Sequence, residues 1–199
     1  MARQLVLGSA SPRRAQLLAE LGVEFTVCAA DIDETRLHDE PPRNYVRRMA
    51  REKAAALDTA GKAGGCVLLT ADTTVVLDGT SFGKPRDRSD AATMLRSLSG
   101  REHEVYTAVV LLSEGSISEA LVCTRVEFSL LSSPMIERYL LSDEPWDKAG
   151  AYALQGLAGS FVRGVTGSVS NVIGLPQVET RELLVAAGLC TWVVSGKTN

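Results

Sequence analysis

Two arginines stand side by side in the run Leu7-Gly8-Ser9-Ala10-Ser11-Pro12-Arg13-Arg14, directly after a short apolar segment. Ser11 suits a helix N-cap and Pro12 the first helical position, so the run reads as a strand-to-helix turn carrying two guanidinium groups. Free backbone N–H groups, hydroxyls such as Ser9, and bidentate Arg donors are what phosphate oxygens need. Cations at this end oppose the helix dipole by about 0.3–1 kcal/mol each when exposed, and a bound anion would account for them. A capped helix with solvated arginines fits the residues equally well. The run is neither a Walker loop, since no Gly-Lys-Ser/Thr follows, nor a dinucleotide-type Gly-x-Gly-x-x-Gly.

The acids raise a similar pair of readings. Asp72 follows the apolar run Val67 to Thr70 and precedes another, where a carboxylate is costly unless paired or functional. A hydrogen-bonded Asp at a strand end is the plain alternative. Asp31 to Glu40 is acidic and aperiodic, a loop in which Glu34 beside Asp33 could serve a metal, because Mg²⁺ takes one or two carboxylates plus substrate phosphates. Lys53 by itself reads as a solvated helix residue, whereas Gly83-Lys84-Pro85 fixes Lys84 in a stiff turn. His103 reads as a structural hydrogen-bonder and His38 as exposed; with no Gly-x-Ser-x-Gly elbow, a Ser–His–Asp hydrolase is not expected. Four scattered cysteines, Cys28, Cys66, Cys123 and Cys190, suggest buried reduced thiols rather than a zinc site.

The elements that must carry these residues follow from pattern. Strands are expected at Gln4 to Leu7, Val23 to Cys28, Cys66 to Leu77, Val105 to Leu112, Ile117 to Leu130 and Thr191 to Val194. Helices are expected at Pro12 to Leu21, Pro42 to Leu57, Asp87 to Leu98, Pro134 to Leu141 and Pro176 to Ala187. Six glycines between Gly150 and Gly174 suggest irregular backbone folded around something, and Tyr152 in that segment could line the space. Strand–helix alternation followed by an antiparallel hairpin predicts an α/β or α+β mixed sheet with flanking helices.

At 199 residues with 45% apolar and 23% charged side chains, the chain can bury a core as a single domain. Its net charge of −3 argues against nonspecific nucleic-acid binding, so any polyanion site must be a local cluster of cations. No apolar run approaches a membrane span and none forms a signal-peptide core; a cytosolic protein is expected.

Taken in order, the motifs resemble those of the Maf family. Ser9-Ala10-Ser11-Pro12-Arg13-Arg14 with Leu17-Leu18 is similar to its N-terminal signature, and Arg51-Glu52-Lys53-Ala54, Ala71-Asp72-Thr73, Gly83-Lys84-Pro85 and Leu98-Ser99-Gly100 with His103 continue it. Glu144-Pro145, Asp147-Lys148-Ala149-Gly150-Ala151-Tyr152, Gln155-Gly156 and Asn171-Val172-Ile173-Gly174-Leu175-Pro176 complete it over nearly the whole chain. The resemblance implies a fold like that of the inosine triphosphate pyrophosphatases, a long twisted mixed sheet with two lobes around a deep cleft. It implies hydrolysis of a nucleoside triphosphate to monophosphate and pyrophosphate, with a divalent cation (Mg²⁺ or Mn²⁺) held by Glu34 and Asp72. Asp72 would be the general base, and Ser9, Arg13, Arg14, Lys53 and Lys84 would bind the triphosphate. Thr73 and Gln155 would read the base; with Arg13 they resemble the subgroup acting on dTTP and UTP. Thr74 departs from the family's usual aliphatic residue, with little effect expected. A homodimer is implied by the resemblance only, and a non-catalytic regulator of cell division and septum formation is the alternative function.

Overall fold

The computed structural model describes residues 3–61 and 65–190. Its centre is a mixed sheet in the order β2-β1-β3-β5-β6-β7, with β4 paired to the far end of β3. The strands are β1 (Leu5–Leu7), β2 (Phe25–Val27), β3 (Val67–Leu77), β4 (Thr80–Phe82), β5 (Glu102–Ser113), β6 (Ser116–Phe128) and β7 (Val162–Thr166). β1 runs parallel to both β2 and β3, and the remaining pairings are antiparallel. The helices are α1 (Pro12–Ala19), α2 (Pro42–Thr59), α3 (Arg88–Leu98), α4 (Ser133–Tyr139), α5 (Val169–Ile173) and α6 (Gln177–Ala186). The expected mixed sheet with flanking helices is what the chain forms.

Strand alternation explains how the core divides. Leu68, Val76, Ala108 and Val110 face α2, where Val46, Ala50, Ala54 and Leu57 cover them. Leu69, Ala71, Val109 and Leu111 point the other way, onto Leu17 and Leu18 of α1 and Leu184 of α6. Further along that second face, Val75 and Val105 join a separate cluster with α3, α4 and Phe161. Between these two clusters the cross-strand partners are Thr73 and Thr107, so a polar pair interrupts the apolar face.

The β1–β3 register ends at Leu7↔Leu69, and β4 does not meet β3 until Val75↔Phe82. Over the interval between them one edge of β3 has no strand neighbour among the described residues. The chain leaves β1 through Gly8, whose N–H still reaches Leu69 O at 2.8 Å, and turns into α1. A Cβ at Gly8 would lie 2.6 Å from both Leu57 Cδ1 and Thr70 Cγ2, so the close approach of this turn to β3 requires glycine.

Several expectations need correcting. Asp72 lies inside the 11 residues of β3, as the expected strand Cys66 to Leu77 had it, so the alternative of an Asp at a strand end does not hold. The Gly-rich stretch is less irregular than its composition suggests, since β7 and α5 lie within it, preceded by 3-10 turns at Ala149–Ala151 and Leu157–Phe161. The thiols are not uniformly buried: Cys123 is exposed, Cys28 and Cys66 are half-buried, and Cys190 alone is fully buried, all four free. The expected strand Thr191 to Val194, and Trp192 with it, lie outside the described residues. Among the described residues no helix is long and apolar enough to cross a membrane.

Candidate active site

A cleft of about 470 Å³ opens where β3 lacks its neighbour, and its lining includes every residue singled out above: Ser9, Arg13, Arg14, Glu34, Lys53, Asp72, Thr73, Lys84 and Gln155. The Arg13–Arg14 turn and Asp72 therefore share one groove. Had they faced opposite sides of the molecule, a common phosphate site would have been impossible.

On the α2 side sits a charged triad. Lys53 Nζ donates to Asp72 Oδ1 at 2.8 Å and lies 2.7 Å from Glu34 Oε1. Lys53 and Asp72 are 8% and 7% exposed, so this ammonium is no solvated helix residue but a buried counterion. Burial raises the Asp72 carboxyl above the usual range, against the opposing charges of Lys53 and Arg14. Glu34 is half-exposed and shifts the opposite way: partial burial pushes it up, but the Lys53 hydrogen bond and the charges of Lys53, Lys84 and Arg14 bring it below the usual range.

The acidic loop holds Glu34 in place through α2. Tyr45 Oη donates to Glu34 O at 3.0 Å, and Arg48 donates to Thr35 O at 3.0 Å and to both Glu40 oxygens at 2.7 Å. An aperiodic acidic segment thus becomes a fixed strap over the helix.

On the opposite face the Arg14 guanidinium is held by three donations, from Nε to Gly174 O at 2.8 Å, Nη1 to Ser9 Oγ at 3.3 Å and Nη2 to Thr73 Oγ1 at 3.0 Å. Five N–H groups less three leaves two for a ligand. Ser9 Oγ also accepts from Ser11 N at 3.2 Å, so its own hydrogen remains available to the cleft. The helix start offers fewer amides than expected, because Arg14 N is capped by Ser11 Oγ, Ser11 N by Ser9, and Pro12 has none. Side chains must therefore supply much of the anion contact.

Arg13 lies 3.6 Å from Asp147 across the mouth, and Lys148 donates to Glu144 O at 2.6 Å and to Asp147. Lys84 and Gln155 are exposed on the rim, and neither side chain has a hydrogen-bond or ion-pair partner among the described residues. His103 is structural, as expected: it is 2% exposed, its Nε2 pairs with Tyr152 Oη at 2.8 Å, and burial brings its pKa down to about 4. Tyr152 lines the cleft from the other end of that bond.

Three contributors escaped the sequence reading. Lys148 and Asn171 were noted only as parts of motifs; Thr107 lies hidden under Thr73 at 2.9 Å, and the fully buried Asn171 carries the carbonyl that Thr107 bonds. For Thr107 a signal existed, a hydroxyl residue in phase with Val105 and Val109 on an otherwise apolar strand face.

Among the described residues no group of three or more His, Cys, Asp or Glu side chains gathers as a metal cluster. Glu34 and Asp72 nonetheless converge on one cation, the Lys53 ammonium, and each keeps a second oxygen without a hydrogen-bond partner among the described residues. Such an all-oxygen pair suits a hard divalent ion that takes its other ligands from phosphate and water.

Curated relatives resemble the chain over almost its whole length. A dTTP/UTP pyrophosphatase of Myxococcus xanthus is 55% identical over 186 residues, 93% of each chain. One of Anaeromyxobacter dehalogenans is 52% identical over 192 residues, covering 94% of this chain and 96% of the relative. One of Escherichia coli K12 is 51% identical over 180 residues, covering 90% and 91%. The family description "Maf-like protein" matches residues 4–187, a span that holds every cleft residue described above. The turn, the buried Lys53–Asp72 pair and the rim cations all lie within that matched span, and the chain belongs to the Maf family.

Proposed function

We propose that this protein hydrolyses dTTP and UTP between the α and β phosphates, releasing the nucleoside monophosphate and pyrophosphate. The observation that carries the reading is the convergence of Arg13, Arg14, Lys53 and Lys84 with the buried Asp72 on one cleft. Relatives 51–55% identical over nearly the full chain, named dTTP/UTP pyrophosphatases, support it.

Anhydride hydrolysis needs little covalent participation from protein; positioning and charge stabilisation suffice. The four cations match the charge of a triphosphate, and Ser9 has an O–H to donate. Asp72 is the base: one carboxylate oxygen is held by Lys53, and burial strengthens its affinity for a proton. It takes a proton from water as the water oxygen bonds to the α phosphorus; the bond from that phosphorus to the bridging oxygen breaks, and pyrophosphate leaves with both bond electrons. Lys84 and the arginines offset the charge that develops on the leaving group. A divalent cation, Mg²⁺ or Mn²⁺, belongs to the proposal: Glu34 and Asp72 would hold it, and when bound it neutralises phosphate charge. Thr73 and Gln155 read the pyrimidine edge. A cytosolic location and a homodimer are part of the same reading.

The test is product analysis with dTTP, UTP and the metal in ¹⁸O-labelled water. Monophosphate carrying the label together with unlabelled pyrophosphate is expected, and Asp72→Asn lowers the rate by about 10²–10⁴-fold. Stepwise release of orthophosphate would overturn the assignment.

A further inference from the structure

We infer that Thr107, buried beneath the cleft floor, fixes the direction of the Thr73 hydroxyl and thereby makes the site select bases bearing an N–H donor at ring position N3, as uracil and thymine do and cytosine does not. The inference rests on the pyrimidine triphosphate reading above.

Donor counting sets the direction. Thr107 Oγ1 lies 2.9 Å from Asn171 O, a carbonyl that can only accept, so the single hydroxyl hydrogen of Thr107 goes there. Thr107 Oγ1 also lies 2.9 Å from Thr73 Oγ1, and this contact is a bond only if Thr73 donates. The reverse order would set two oxygen lone pairs against each other at 2.9 Å around a residue 0% exposed, with no water to relieve them. From the other side Arg14 Nη2, which cannot accept, donates to Thr73 Oγ1 at 3.0 Å.

The Thr73 hydroxyl has therefore accepted from Arg14 and given its only hydrogen to Thr107. What it has left for a ligand is a lone pair. The chain cannot reverse, because its terminus is pinned: Asn171 O also accepts from Gly174 N at 3.0 Å, and the Asn171 side-chain amide donates to Val105 O at 2.9 Å and Thr124 Oγ1 at 3.0 Å. Gln155, by contrast, is an exposed amide that can turn to present either its oxygen or its NH₂. It suits the carbonyl of uracil and the amino group of cytosine alike. Discrimination falls to the hydroxyl that cannot turn: N3–H of uracil or thymine meets an acceptor, whereas N3 of cytosine sets lone pair against lone pair.

The experiment compares kcat/KM for UTP and CTP, with the metal, in the wild-type protein, Thr107→Val and Thr107→Ser. Valine keeps the shape and removes the acceptor, which frees the Thr73 hydrogen to turn toward cytosine. The wild-type preference for UTP should fall by about 10–100-fold in Thr107→Val and be restored in Thr107→Ser. A second probe needs no variant: 3-methyluridine triphosphate, lacking the N3 hydrogen, should be rejected by the wild type to a similar degree. If Thr107→Val loses rate equally on both nucleotides, or if the methylated nucleotide is accepted, the inference is overturned while the pyrophosphatase reading stands. If the wild type hydrolyses neither UTP nor CTP, the substrate reading fails and takes the inference with it.

Discussion

Replacing Lys53 with Met tests whether the charge arrangement under the cleft is as described. Lys53 and Asp72 are both more than nine-tenths buried and bonded at 2.8 Å, so removing the ammonium strands a carboxylate where solvent cannot compensate it. Breaking such a pair costs about 3–5 kcal/mol. The second contact, to Glu34, involves a carboxylate 49% exposed, and a bond of that kind contributes about 0–1 kcal/mol. The two neighbours of one ammonium thus differ sharply in predicted weight. For a chain of this size about 2–4 °C of melting temperature accompanies each kcal/mol, which makes Lys53→Met roughly 6–20 °C less stable at pH 7 and Glu34→Gln only a few degrees. Lys53→Met with Asp72→Asn removes both charges and should recover a large part of the loss.

The pH dependence has a definite sign. The folded Asp72 pKa is already raised, and deleting Lys53 removes an influence that lowers it. A carboxyl whose folded pKa exceeds its unfolded value destabilises as pH rises through that interval, so the deficit of Lys53→Met should shrink as the solution is acidified. Urea and thermal midpoints at pH 7 and pH 5 provide the assay. Equal stability of Lys53→Met and Glu34→Gln at pH 7 would refute the reasoning.

Other expectations follow from single sites. His103 is held near pKa 4, about 2.5 units below its unfolded value of 6.5, so its neutral form is required and stability falls by about 3 kcal/mol as pH drops from 6.5 toward 4; His103→Gln should flatten the urea midpoint over that range, and an unchanged slope would contradict the assignment. Gly8→Ala forces a methyl against Leu57 and against Thr70, whose hydroxyl is tied to Ala50 O at 2.7 Å, and should destabilise by about 1–3 kcal/mol in urea titration. Lys84→Met, on an exposed and unpaired ammonium, should lower kcat/KM about 10-fold while leaving the melting point in place, with a smaller salt sensitivity than the wild type.

Residues that advertise their surroundings were readable in order. Ser11-Pro12 gave α1 its start, and its hydroxyl does accept from Arg14 N. Pro42 opens α2 as expected, and the Val-, Leu- and Thr-rich run became β3. Missing from the sequence was anything that depends on a partner far along the chain. Lys53 looked like a solvated helix residue because its burial is created by β3 packing on α2, and nothing local reports that. β7 and α5 were invisible for a different reason: five-residue elements among glycines have too few apolar positions to show a period, and β7, at the sheet's edge, has no fully buried residue. The site residues themselves converge as anticipated on one cleft, whereas the hydrogen bonds that aim them, through Thr107, Asn171 and Gly174, became visible only with the strand register.

The unpaired interval of β3 has a consequence for how this site can change. Consecutive side chains of a strand leave on opposite faces, so Asp72 joins Lys53 on one side of the sheet while its neighbour Thr73 joins Arg14 and Thr107 on the other. Both line the cleft, where one ligand would meet them together, yet the two groups share no hydrogen bond. On the proposed function, substitutions that keep the Arg14–Thr73 bond would retune which base is admitted without touching the Lys53–Asp72 bond, and a single strand would thereby keep substrate choice and bond breaking as separately adjustable properties.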